Sequence, residues 1–214
     1  MPNWCYNNAV IRHEDPAQIA RVVKAINDKG LFQEFVPCPD ELNETVKGHF
    51  SDENKQRELE AQWASNQEKY GFGTWYEWNM ANWGTKWDAG DLNINSQDDN
   101  EIGVYFETAW CPPIAFYETM EELGFTINAT YGEESKAFIG RYADGVDECY
   151  NIDEYTGDWV RENIPEELDE EYGYSDDLDM WAEDEDEDDN EEDEVHDDYI
   201  IGECTDVTDQ KLLK

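Results

Sequence analysis

CYNNAVIR, residues 5–12, running into HEDPAQIARVVKAINDKG, residues 13–30, decides the fold class. The first segment is rich in strand formers and alternates loosely between apolar and polar positions, as a half-buried strand does. In the second, Ile19, Val22, Val23 and Ile26 fall on one helical face. Asp15 suits the N-cap, Pro16 the first helical position and Gly30 the stop. A strand that delivers straight into an amphipathic helix starts a layered fold of helices on a sheet.

The rest of the chain extends this layer. Leu31–Val36 reads as a short third element, a strand, broken by Pro37, Cys38 and Pro39. Asp52–Lys69 is polar with few breakers and reads as an exposed helix turning Leu59 and Trp63 inward. Tyr70–Trp87 (YGFGTWYEWNMANWGTKW) is the densest aromatic segment, and its glycines predict turns. Leu92–Asn95 and Ile102–Thr108 read as paired strands, and Pro112–Leu123 as a helix closed by Gly124. Phe125–Tyr131 and Ala137–Tyr142 read as a hairpin, with Cys149–Tyr155 as an added edge. The expected class is α+β: a sandwich of two helices on one face of a mainly antiparallel sheet, with a Trp-rich helical and loop insertion at about 40–90.

Charge divides the chain differently. Of its 214 residues 55 are Asp or Glu and 14 are Lys or Arg, a net charge of −41. Glu166–Asp198 holds 21 acidic residues and no Lys or Arg, and within it 11 of the 12 residues of Glu183–Glu194 are acidic. Residues 1–165 are acidic as well, with 12 Lys or Arg against 31 Asp or Glu. Such a field repels nucleic acid, anionic membranes and phosphorylated substrates and attracts cationic proteins. The expected organisation is a domain over 1–165, carrying nearly all the aromatic residues, and a largely disordered acidic tail over 166–214. Extended, the acidic run carries about one charge per 3.4 Å, the phosphate spacing along one DNA strand.

Four blocks then carry a resemblance: MPNWCYN at 1–7, WYEWNMANWGTKWD at 75–88, FETAWCPP at 106–113 and YGEESKAFIG at 131–140. Over roughly residues 1–145 the chain resembles the YubB ferredoxin-like family, proteins of bacteriophages and plasmids. The resemblance implies a ferredoxin-like α/β sandwich, without an iron–sulfur cluster, and hands over no catalytic residues. The spread of the five cysteines independently argues against a cluster and for reduced thiols.

Catalytic patterns are poor. His13, His49 and His196 sit in no metal-ligand spacing, and no nucleophile elbow, P-loop or dinucleotide fingerprint occurs. The expectation is a protein that is not an enzyme, with no catalytic residue, metal or cofactor. Met1–Tyr6 lacks the features of a secretory signal and no apolar run is long enough to span a bilayer, so a cytoplasmic protein is expected.

Two sites are candidates. The first is the acidic run itself, Glu183, Asp184, Glu185, Asp186, Glu187, Asp188, Asp189, Glu191, Glu192, Asp193 and Glu194, flanked by apolar anchors at Trp181, Tyr199 and Ile200. Charge steers the encounter and the anchors hold a partner. The expected function is that of a phage or mobile-element accessory protein that mimics nucleic-acid charge. It would bind a basic host protein, such as a nucleic-acid-binding enzyme, and block its nucleic-acid site without touching nucleic acid or membrane itself. The competing reading is a solubilising tail with no dedicated partner.

The second candidate is a pocket built from Trp75, Trp78, Asn79, Asn82, Trp83, Lys86 and Trp110, with Tyr76, Trp87, Asn3, Thr85, Asp88 and Thr108 nearby in the same blocks. It would make the protein a small-molecule or peptide-binding module with Lys86 as its cation. The commoner outcome for such residues is an aromatic core and a satisfied polar network.

Overall fold

The structure, a computed structural model, describes residues 2–28 and 30–188. The chain forms two compact units that divide between Asp153 and Glu154. The first contains strands β1 (Trp4–Arg12), β2 (Gly90–Gln97), β3 (Glu101–Ala109), β4 (Thr126–Glu133), β5 (Phe138–Ala143) and β6 (Val146–Asn151). Its helices are α1 (Pro16–Asn27), α2 (Leu31–Phe35), α3 (Asp40–Asn43), α4 (Glu53–Tyr70), α5 (Trp75–Asn82) and α6 (Ile114–Glu122). The class is α+β, with one six-stranded sheet in the order β2-β3-β1-β4-β5-β6 and every neighbouring pair antiparallel.

β1 lies inside the sheet, paired along its length with β3 (Trp4↔Ala109 to Arg12↔Glu101) and on its other edge with β4. Its side chains alternate strictly: Cys5, Asn7, Ala9 and Ile11 are buried, while Trp4, Tyr6, Asn8, Val10 and Arg12 are half-buried. Ala9 and Ile11 of this row join Ile102, Val104 and Phe106 of β3 and Ile127 and Ala129 of β4 in one apolar cluster, while Cys5 packs with Tyr131 and Phe138 in a second. Ile19, Val22, Ala25 and Ile26 of α1 and Phe116, Tyr117 and Met120 of α6 complete the first. Each large apolar side chain so buried contributes about 1.5–3 kcal/mol. The expected caps are present, with Asp15 accepting the Ala17 amide at 2.9 Å and Gly124 at φ 93° beyond α6.

Two expectations for this unit need correction. Leu31–Val36 is not a strand, since Leu31–Phe35 forms the helix α2. Its first turn is capped from a distance, the Asp88 carboxylate accepting the Phe32 and Gln33 amides at 2.8 and 2.9 Å. The Trp-rich segment also holds more regular structure than its glycines predict. Trp75–Asn82 is helical, and the Thr74 hydroxyl accepts the Glu77 amide at 3.4 Å. The helix read over Asp52–Lys69 is present as α4, capped by Asp52 and ended by Gly71 in the left-handed region.

The second unit contains α7 (Gly157–Asn163), α8 (Glu166–Tyr172) and α9 (Tyr174–Asp188). Within the tail expected to be largely disordered over 166–214, Glu166–Tyr172 and Tyr174–Asp188 are helical. Local chemistry explains the helices: Thr156 caps α7, Pro165 precedes α8, and Gly173 at φ 66° separates α8 from α9. Val160, Ile164, Leu168, Tyr174 and Leu178 are buried, apolar content that a count of charges hides. Gly157 lets α7 and α9 approach closely; a Cβ there would lie 2.2 Å from Asp179 Oδ1 and 2.5 Å from the Ser175 carbonyl. No helix of the described residues is long and apolar enough to cross a membrane.

Candidate functional site

The acidic run enters the structure as the end of α9, with Glu183, Asp184, Glu185, Asp186, Glu187 and Asp188 in its last turns. Asp189, Glu191, Glu192, Asp193, Glu194, Tyr199 and Ile200 lie outside the described residues. Trp181 sits on α9 and is 43% exposed, beside Met180 at 55%, so apolar side chains do stand in solvent next to the acids. Residues 154–188 hold 17 Asp or Glu and one cation, Arg161. Its guanidinium lies 2.7 Å from Asp179, 3.1 Å from Asp176 and 3.6 Å from Asp158. The Asp179 contact, more than any other, holds Arg161 above its ordinary pKa. One cation thus ties α7 to α9.

The second candidate separates into two parts. Trp83 is 4% exposed, donates from Nε1 to the Val36 carbonyl at 2.8 Å, and packs on Phe32 and Trp78. Trp75 and Trp78 are partly buried against the same core. Asn82 donates to the Trp78 carbonyl, Thr85 to the Ala109 carbonyl and Asn3 to the Ser135 hydroxyl. Asp88 is occupied by α2 and the Ala89 amide; burial raises its pKa against the pull of these N–H groups. These residues build the fold.

Lys86 and Trp110 belong to a surface instead. Trp110 is 42% exposed and Trp87 is 38% exposed; their rings stack at 6.1 Å and 29°, with Trp4 6.3 Å beyond Trp87. The Lys86 ammonium lies 4.3 Å from the Trp87 ring and 5.0 Å from the Trp110 ring. Trp110 adopts φ 66°, a conformation that costs a bulky residue about 1–2 kcal/mol. Its amide donates to the Asn3 carbonyl at 3.0 Å, which holds it there. Asn79, 4% exposed, donates from Nδ2 to the Lys86 carbonyl at 2.8 Å, while its Oδ1 has no hydrogen-bond partner among the described residues.

Two contributors escaped sequence reading. Trp4 arrives on β1, its amide donating to Glu134 Oε2 at 3.1 Å. Lys47 lies 3.0 Å over the Tyr76 ring, and its pKa is lowered chiefly by burial, with the Lys86 charge adding and Glu77 opposing. Nothing in the spacing of Trp4, Lys47 and Lys86 signals that they approach one surface.

Asn7 is a further buried polar centre. It donates to the Cys5 carbonyl at 2.9 Å and Thr108 Oγ1 at 3.0 Å, and accepts from the Tyr117 hydroxyl at 3.3 Å. At the other end of β1 an open depression of about 850 Å³ is lined by Arg12, His13, Asp98, Asn100 and Glu101 among others. Its polar groups are already engaged: Arg12 with Glu101, Asn100 with the His13 and Glu14 carbonyls, and Asp98 with the Asn100 and Glu101 amides. Among the described residues no group of three or more His, Cys, Asp or Glu side chains is placed to hold a metal ion.

No protein-family model matches the chain, and no curated protein sequence matches it. Among solved structures it is similar to the crystal structure of the protein api92 from Yersinia pseudotuberculosis, of the family DUF1281. That similarity has 11% sequence identity, 72% coverage of this chain, 99% coverage of that chain and a TM-score of 0.36.

Proposed function

We propose that the protein is a non-enzymatic binder of a basic partner protein, occupying with carboxylates a groove built for phosphates. The observation that carries this reading is the described part of the second unit: residues 154–188 are a helical scaffold with 17 acidic residues, whose one cation, Arg161, pairs inside it. Along the last turns of α9 every residue is acidic, which at about 1.5 Å rise per residue is close to the ~1.7 Å per charge of duplex DNA. The helical form thus supports mimicry of a duplex, where an extended chain would match a single strand.

The finer fold reading belongs to the same proposal. The succession β1-α1-β2-β3-α6-β4 and the spatial order β2-β3-β1-β4 support a ferredoxin-like core, with β5 and β6 extending it. A mobile-element origin follows from the YubB resemblance and makes a cytoplasmic nucleic-acid enzyme of the host the expected partner.

The test is capture from a bacterial lysate on the immobilised full chain at low and high salt. Basic nucleic-acid-binding proteins should be retained, then released by salt and by added duplex DNA. A variant with Glu183–Glu194 neutralised to Gln and Asn should retain far less. Capture that ignores salt, duplex DNA and neutralisation alike would overturn the proposal.

A further inference from the structure

We infer that Lys86, Trp87 and Trp110 form a binding site for a planar heteroaromatic molecule carrying one anionic group, the mononucleotide class. Ligand capture here does not depend on the partner surface of the second unit.

Charge sets the site apart. Nearly four carboxylates stand for every cation in this chain, and Arg12, Arg21, Lys24, Arg57, Lys69, Arg141 and Arg161 all pair with one. Lys86 is not within ion-pair distance of any described carboxylate; its ammonium rests on two indole faces. Lys47, equally without a described ion pair, is within electrostatic reach of it and is held on Tyr76. Glu77 offsets the Lys47 charge, so the Lys86 ammonium on its two aromatic faces is the cation left for a single anion.

The aromatic surface supplies the second half of the ligand. Trp87 and Trp110 stack on one another yet remain more than a third exposed. An exposed indole offers a face on which any base can stack. The backbone of Trp110 is in the left-handed region, an arrangement that persists where the surroundings enforce it and that clusters at ligand clamps. Asn79 steadies the loop, its amide donating to the Lys86 carbonyl at 2.8 Å.

The neighbourhood also limits the ligand's size. Glu107 and Glu134 both act electrostatically on the Tyr6 phenol two residues along β1 from Trp4, and Glu134 bonds the Trp4 amide. Successive phosphates along a strand would meet this negative charge at more points than a single phosphate does.

Calorimetric titration of the full chain with adenosine monophosphate, adenosine, inorganic phosphate and a single-stranded oligonucleotide tests the site. The monophosphate should bind, with adenosine and phosphate each weaker by about tenfold or more. Lys86→Gln and Trp110→Gly should each weaken it by about tenfold. Glycine adopts the Trp110 backbone conformation without strain, so that variant removes the ring and keeps the loop; far-UV circular dichroism checks both folds. Absence of monophosphate binding up to millimolar concentration, binding unchanged in both variants, or preference for the oligonucleotide would each overturn the assignment.

Discussion

The Asp88 carboxylate accepts the amide hydrogen of Phe32 at 2.8 Å across 56 residues of chain, and so joins the loop before β2 to the start of α2. Its second oxygen takes the Gln33 amide, so one side chain satisfies two amides that a five-residue helix leaves without partners.

Asp88→Ala should therefore destabilise the first unit by about 1–3 kcal/mol, because two partly buried amides lose their acceptor. Asp88→Asn keeps one acceptor oxygen and should lose less. Denaturant unfolding followed by tryptophan fluorescence compares them, and equal stability of wild type and Asp88→Ala would refute the cap.

Gly157→Ala should loosen the second unit, since the added methyl has no room beside Asp179 and the Ser175 carbonyl. Overpacking of this kind costs about 1–3 kcal/mol. Hydrogen exchange should speed up across 157–182 while the amides of β1 and β3 stay protected. Unchanged exchange in α7 and α9 would show that the close approach is not needed.

Asn7→Ala should cost about 2–3 kcal/mol, because it removes the hydrogen bonds to Cys5, Phe106, Thr108 and Tyr117 from a fully buried site and leaves a cavity. Thermal unfolding gives the answer, and a loss under about 0.5 kcal/mol, the range of surface substitutions, would exclude a structural role for this network.

Alkaline pH should unfold the protein before an unperturbed count of its groups suggests. Burial, with Asp40 adding, pushes the Cys38 thiol up to about 11 from 9.0. Burial raises the Tyr131 and Tyr142 phenols too, helped by Asp147 and Cys149 for the first and Glu121 for the second. All three are neutral when protonated and release the proton more readily in the unfolded chain. The unfolded state then binds fewer protons, and stability falls as pH rises. The contribution is complete below pH 9 and is lost through pH 9–11 for Cys38, with the tyrosines continuing the fall above 10. The slope is up to about 1.4 kcal/mol per pH unit for each group. Stability flat from pH 8.5 to 11 would contradict it.

The elements legible in the sequence are those whose signals are local. The β1 alternation, the Asp15-Pro16 start of α1 and the Asp52 start of α4 depend on a few consecutive residues, and each element stands where the pattern puts it. Leu31–Phe35 is ambiguous in the sequence because so short a stretch, with three apolar residues in five, fits strand or helix equally, and the deciding carboxylate lies more than fifty residues away. The helices over Glu166–Asp188 are hidden in the sequence because charge density outweighs the few apolar positions, Leu168, Tyr174 and Leu178, that are buried.

The candidate sites divide in the same way. Composition alone determined that this protein carries a dense negative charge and a large aromatic core, since both are sums over residues and need no geometry. Which tryptophans are core and which face water was decided only by tertiary structure. Trp83 finds the Val36 carbonyl and goes inside, while Trp110, at the end of β3, is held in a left-handed turn by Asn3 and stays at the surface with Lys86. Burial belongs to partners brought together by long-range pairing, here β1 with β3, and no local pattern in the chain encodes it.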